Sequence, residues 1–70
     1  MELNEVQSSN IKRVGYNAEK EDLFVEYLSG ALYRYKKVPK EVYDQLLESD
    51  SKGKFINTYI KGKYEYEKIK

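Results

Sequence analysis

Two alternating runs on either side of Leu28-Ser29-Gly30 constrain this chain more than any other feature. In Leu23-Phe24-Val25-Glu26-Tyr27, Leu23, Val25 and Tyr27 share one face, and Phe24 and Glu26 share the other. The alternation resumes with Ala31, Tyr33 and Tyr35 on one face, leaving Arg34 and Lys36 on the opposite one. Directly opposed residues of an antiparallel pair lie on the same face. A two-residue turn at Ser29-Gly30 would set Val25 against Arg34 and scatter the apolar residues. A three-residue loop, Leu28-Ser29-Gly30, sets Tyr27 against Ala31, Val25 against Tyr33 and Leu23 against Tyr35. That loop class needs a left-handed residue at its third position, where glycine is the natural choice. The three-residue hairpin is the predicted one, and it turns Tyr33 and Tyr35 toward the core.

The rest of the chain extends this hairpin. Residues 1–10 are polar and aperiodic, so a loose N-terminus is expected. Ile11–Tyr16 is a first strand whose alternation is disturbed at Gly15, the sign of a bulge or a close backbone approach. Val38-Pro39 closes the strands, and proline suits the first helical position. From Lys40 to Ser49 the pairs Val42/Leu46 and Tyr43/Leu47 fall at i,i+4 on one stripe. Ser51, with Asp50 as the alternative, is the N-cap of a second helix, Lys52–Lys61. There Phe55/Tyr59 and Ile56/Ile60 repeat the spacing, and Gly62 stands where a helix-ending glycine belongs. The predicted fold is α+β: a three-stranded antiparallel meander, Ile11–Tyr16, Leu23–Tyr27 and Ala31–Lys36, followed by an αα-hairpin packed on one face. The tail, residues 63–70, is an edge strand or an extended arm held by its tyrosines; the arm is preferred.

Several chemistries have no residues to support them. The 70 residues include neither cysteine nor histidine, which removes disulfides, thiolate ligands, the commonest metal ligand and the commonest general base near neutral pH. Ser51-Lys52-Gly53-Lys54-Phe55 lacks the spacing of a phosphate-binding loop. Asp22 with Glu26, or Asp44 with Glu48, reads as solvated acid rather than a metal pair. No enzyme, cofactor or metal is expected. The longest apolar run is Leu23-Phe24-Val25, and Met1–Glu5 lacks the basic and apolar regions of a signal peptide. A cytoplasmic protein with no membrane association is therefore the expectation.

Charge is segregated along the sequence: −2 over residues 1–22, +3 over 23–40, −4 over 41–51 and +4 over 52–70. Eight tyrosines, most flanked by lysines, accompany the basic blocks. Basic grooves with aromatic rings bind single-stranded nucleic acid, whereas tyrosine and arginine also mark protein interfaces. The candidate binding residues for RNA, another polyanion or a protein partner are Arg34, Lys36, Lys37, Lys61 and Lys63.

The order Ser8-Ser9-Asn10-Ile11-Lys12-Arg13-Val14-Gly15-Tyr16-Asn17, then Leu23 through Pro39 with its Tyr33-Arg34-Tyr35, then Ser51 through Lys61, resembles the KTSC domain. The likeness runs from about Ser8 to Tyr66. That family takes its name from the C-terminal segment of some lysyl-tRNA synthetases, and also occurs as small bacterial and phage proteins. The resemblance implies RNA binding only through that attachment. Carried onto this sequence, its motif positions are Gly15, Tyr16, Gly30, Tyr33, Tyr35, Pro39, Ser51, Gly53, Asn57 and Ile60, mainly structural in reading. For Asn57 the expected role is a hydrogen bond to loop backbone, with a ligand-facing role as the alternative.

Overall fold

The structure, a computed structural model, describes residues 10–70 and the backbone of Asn4–Glu5. Five antiparallel strands follow one another across a single sheet: β1 (Asn4–Glu5), β2 (Ile11–Asn17), β3 (Asp22–Tyr27), β4 (Leu32–Tyr35) and β5 (Tyr66–Lys68). Helices α1 (Lys40–Glu48) and α2 (Lys52–Phe55) lie between β4 and β5, and α2 runs directly into a π-helical turn, Ile56–Ile60.

The hairpin forms in the predicted register, with Leu23 opposite Tyr35 and Val25 opposite Tyr33. Tyr27 N–H donates to Ala31 O at 2.8 Å, and Gly30 N–H donates to Tyr27 O at 2.9 Å. Gly30 has φ +97°, and a Cβ there would meet no neighbouring atom. Glycine is required by the backbone conformation alone. The same alternation gives the sheet two unlike faces. Val14, Leu23, Val25 and Tyr35 point toward the helices and join Ile11, Val38, Leu46, Ile56 and Ile60 in the buried core. Arg13, Asp22, Phe24, Glu26 and Arg34 occupy the other face.

The strand-to-helix corner is fixed by Tyr16. Its hydroxyl donates to Val38 O at 2.6 Å, and its ring stacks on Tyr43 of α1 at 5.0 Å with 13° between the planes. Val38 N–H in turn donates to Glu21 O at 2.7 Å. Pro39, expected as the first helical residue, is instead the residue just before the helix, with ψ 149°. Proline favours an extended conformation in the residue ahead of it, so the strand direction persists through Val38 before the helix begins. Ser51 is the N-cap of α2, and its side chain accepts from Lys54 N–H.

Five expectations are corrected. The meander has five strands rather than three, because both ends of the chain add edges: Asn4 and Glu5 pair with Val14 and Arg13, while Tyr66–Lys68 pairs with β4. The tail is thus an edge strand, not an arm, and Leu32 N–H donates to Lys70 O at 3.0 Å near its end. The expected loose N-terminus is met at Asn4–Glu5 by strand pairing; residues 1–3 and 6–9 lie outside the described residues. The bulge falls between Ile11 and Arg13, whereas Gly15 is buried and regularly paired with Phe24. Lastly, the second helix is not α-helical to Lys61: Lys61 N–H reaches back five residues to Ile56 O at 2.8 Å, widening the final turn.

Tyr35 is 2 % exposed and Tyr33 is only half-buried. Tyr35→Ala is accordingly expected to cost on the order of 3–5 kcal/mol, and Tyr33→Ala distinctly less. Gly30→Val should cost about 1–2 kcal/mol through its left-handed backbone. Urea denaturation of the three variants checks the order, and a Tyr33→Ala loss equal to that of Tyr35→Ala would contradict it.

Candidate nucleic-acid interface

The side chains of the candidate site come from the ends of elements rather than their middles. Past β5's neighbour β4, the chain carries Lys36 and then Lys37, which holds a left-handed φ of +58°. Lys36 N–H donates to Glu65 O at 2.8 Å, tying this end of β4 to the approach of β5. On the other side, Ile60–Lys63 makes a turn closed by Lys63 N–H to Ile60 O at 3.0 Å. Lys61 is extended (φ −61°, ψ 128°) and Gly62 follows with φ +77°. Those angles are of type II, which requires a positive φ at its third residue and so glycine there. The turn places Lys61 and Lys63 on either side of Gly62.

Two segments far apart in sequence therefore meet. Lys36, Lys37 and Lys63 line one shallow cleft of about 250 Å³ together with Tyr64 and Glu65. A neighbouring cleft shares Lys36, Lys63 and Tyr64 and continues through Gly62 to Tyr66. A third, of about 340 Å³, runs from Tyr66 and Gly62 to Tyr33, Tyr35 and Lys61. The result is a continuous band carrying four lysines and one carboxylate, Glu65. Among the described residues none of the four lysines forms an ion pair.

Aromatic rings pave the far half of the band. Tyr27 meets Tyr33 edge to face at 5.5 Å, and Tyr66 lies 5.7 Å from Tyr33 and 5.8 Å from Tyr35. Such spacings lie in the range of favourable ring pairs. Tyr35 is the buried base of this cluster, Tyr33 is half-buried, and Tyr66 is 60 % exposed. Lys61 Nζ sits 5.9 Å from the Tyr27 ring centroid, within cation–π range. Burial pushes the Tyr35 hydroxyl well above the usual phenol range, helped by the neighbouring Tyr27, Tyr33 and Tyr66.

Arg34 does not belong to the band. It leaves β4 on the opposite face, with Nε 3.8 Å from an Asp22 carboxylate oxygen and Nη2 3.8 Å from one of Glu67. Arg13 pairs with Glu26 on the same face, as both an ion pair and a hydrogen bond. The Asp22/Glu26 pair is thereby taken up by arginines, and Asp44 is held by Lys40 at 3.1 Å. Among the described residues no group of three or more acids could hold a metal ion. No described helix is long and apolar enough to cross a membrane. Asn57 is exposed on the π-helical turn, and its side chain makes none of the loop contacts expected of it among the described residues. Its position on the solvent side of the widened turn accounts for this. Tyr27 and Tyr66 were absent from the sequence-derived candidates. The signal for both was present in the strand alternation, which puts Tyr27 in line with Val25, and Tyr66 in line with Tyr64.

Comparison with known proteins fits this fold. The sequence model of the KTSC domain matches residues 7–64. The chain belongs to the KTSC domain family. An uncharacterized protein of Stutzerimonas stutzeri is 48% identical over 65 residues, covering 91% of this chain and 92% of the relative. A lysine–tRNA ligase of Nostoc punctiforme is 38% identical over 63 residues, which make up 90% of this chain but 11% of that enzyme. Among solved structures, a KTSC domain protein from Yersinia pestis superposes with a TM-score of 0.95 at 30% identity, covering 99% of this chain and 97% of that one. This is an α+β domain of the KTSC type, with relatives in bacteria.

The Arg13–Glu26 pair sets a pH dependence. Glu26 is 6 % exposed, and its hydrogen bond to Arg13 holds its carboxyl below the ordinary value despite the opposing effect of burial. A lowered folded-state pKa stabilises the protein above the unfolded value, and that contribution is lost as pH falls through the folded value. Stability should therefore decline below about pH 4.3, the ordinary value for glutamate. Glu26→Gln should be less stable at pH 7 and show a shallower decline in acid. Urea midpoints measured from pH 7 to pH 2 test this; parallel profiles for the two proteins would refute the assignment.

Proposed function

We propose that this KTSC domain is a non-enzymatic binding module for single-stranded RNA. Phosphates follow Lys37, Lys36, Lys63 and Lys61, and bases lie against Tyr66 and the rings beside it. The observation that carries this reading is the meeting of Lys36 and Lys37 with Lys63 at one cleft that continues onto an exposed tyrosine. Lysines supply phosphate attraction of long range, and aromatic rings accept any base because every base has a π-face. The likeness to part of lysine–tRNA ligases, enzymes named for an RNA, adds support. Arg34, ion-paired with Asp22 and Glu67 on the opposite face, has no part in it.

Fluorescence anisotropy of a labelled single-stranded RNA across a salt series is the decisive measurement. Binding should weaken with salt, and Lys36→Gln, Lys37→Gln or Lys63→Gln should each flatten the log–log slope by about 0.7 for a single strand. Arg34→Gln should leave the slope unchanged. Absence of binding at low salt would overturn the RNA reading and leave a protein-interaction module as the working function. In that case the exposed Leu47 and Tyr59 become the surface to test.

A further inference from the structure

A cleft of about 330 Å³ opens where the β3–β4 hairpin meets the end of the π-helical turn, adjoining the band at Tyr33 and Lys61. Tyr27, Leu28, Ser29 and Ala31 form the rest of its hairpin side. Two properties distinguish it from the lysine clefts. Its floor is aromatic, made by the edge-to-face pair Tyr27 and Tyr33. Its rim carries one cation, Lys61, held over the Tyr27 ring.

We infer that this cleft is a nucleobase subsite: it takes one base of the bound RNA, while Lys61 holds the adjoining phosphate. This rests on the RNA reading of the band. A base combines a flat apolar face, which the tyrosine floor accepts, with polar edges that suit the exposed Ser29 hydroxyl. The volume lies at the low end of small-molecule sites, which admits one base rather than several. The hairpin loop that forms one wall is fixed by Gly30, so the subsite is built before the ligand arrives.

The test separates bases from phosphates. Wild-type protein is compared for binding to a short single-stranded RNA and to an abasic ribose–phosphate oligomer of equal length. The RNA should bind roughly fivefold or more tightly, since stacking one base on aromatic side chains is worth about 1–3 kcal/mol and about 1.4 kcal/mol is tenfold. Ala31→Leu, which fills the cleft without removing a core residue, should narrow this difference by the share of the one base the cleft takes and leave binding of the abasic oligomer unchanged; a thermal melt confirms that the variant is folded, and an unchanged difference would overturn the subsite. In wild type, adenosine or uridine monophosphate should shift the amide resonances of Leu28, Ser29 and Ala31, whereas inorganic polyphosphate should shift those of Lys36, Lys37 and Lys63. Equal binding of RNA and abasic oligomer would overturn the subsite while leaving phosphate recognition intact. Mononucleotide shifts confined to the lysines would do the same. Failure of both oligomers to bind at low salt would overturn the subsite together with the RNA reading.

Discussion

The pairing of β3 with β4 decides almost everything else about this molecule. Side chains on a strand alternate strictly, so sliding one strand by a single residue would exchange its two faces. Held in register by Gly30, the pair sends Leu23, Val25 and Tyr35 into the core and Asp22, Glu26 and Arg34 to the opposite surface. The aromatic cluster and the ion-paired face are two outcomes of one register. A hairpin closed by a different loop would have put Arg34 among the tyrosines, where burial without a partner is costly.

That division also sorts the cations by use. Arg13 and Arg34 face carboxylates on neighbouring strands, and those of Asp22 and Glu26, each 6 % exposed, are buried beneath the partly exposed arginines. A buried carboxylate demands a partner, so these arginines are committed to the fold. The lysines at residues 36, 37, 61 and 63 have no such obligation among the described residues, and they stand where chain direction changes: past the end of β4 and on both sides of Gly62. Residues at such corners are carried by rigid elements without being consumed in packing, which is where binding groups usually sit.

Much of this was legible in the sequence, and the illegible part has a common cause. The hairpin, the buried Leu46 of α1 (its stripe partner Leu47 is exposed), the cap at Ser51 and the glycine at 62 are local signals, read from residues within a few positions of one another. The pairing of Tyr66–Lys68 with β4 is not local. The alternation of Tyr64, Glu65, Tyr66 and Glu67 suits an arm as well as a strand, and only the free edge of β4 decides between them. The ion pairing of Arg34 was illegible for the same reason: one of its partners, Glu67, lies on that late strand. The basic blocks were visible as composition, but their meeting depends on the type II turn and on β5 joining the sheet. Tyr27 and Tyr66 escaped notice because neither is flanked by a conspicuous basic run, although both obey the period of two.

The preference for tyrosine over phenylalanine in the ring cluster has a physical account. In a small domain without tryptophan, large side chains must reach from core to surface, and a phenol does so with an apolar body and a polar tip. Tyr16 shows the use in its simplest form, its ring stacked on Tyr43 and its hydroxyl fastening the Val38 carbonyl at the strand-to-helix corner. Burial, reinforced by the nearby acids Glu21, Asp44 and Asp22, raises its pKa, so the donor proton stays in place. Burial raises the pKa of the Tyr35 hydroxyl likewise, and a phenol is uncharged at neutral pH in any case. Ring surface is thereby added beside the lysines without added negative charge. An acidic side chain in the place of Tyr35 would repel the same phosphates that Lys61 and Lys63 attract, whereas an uncharged phenol leaves the field of the band to its lysines, opposed among the described residues that line it by Glu65 alone.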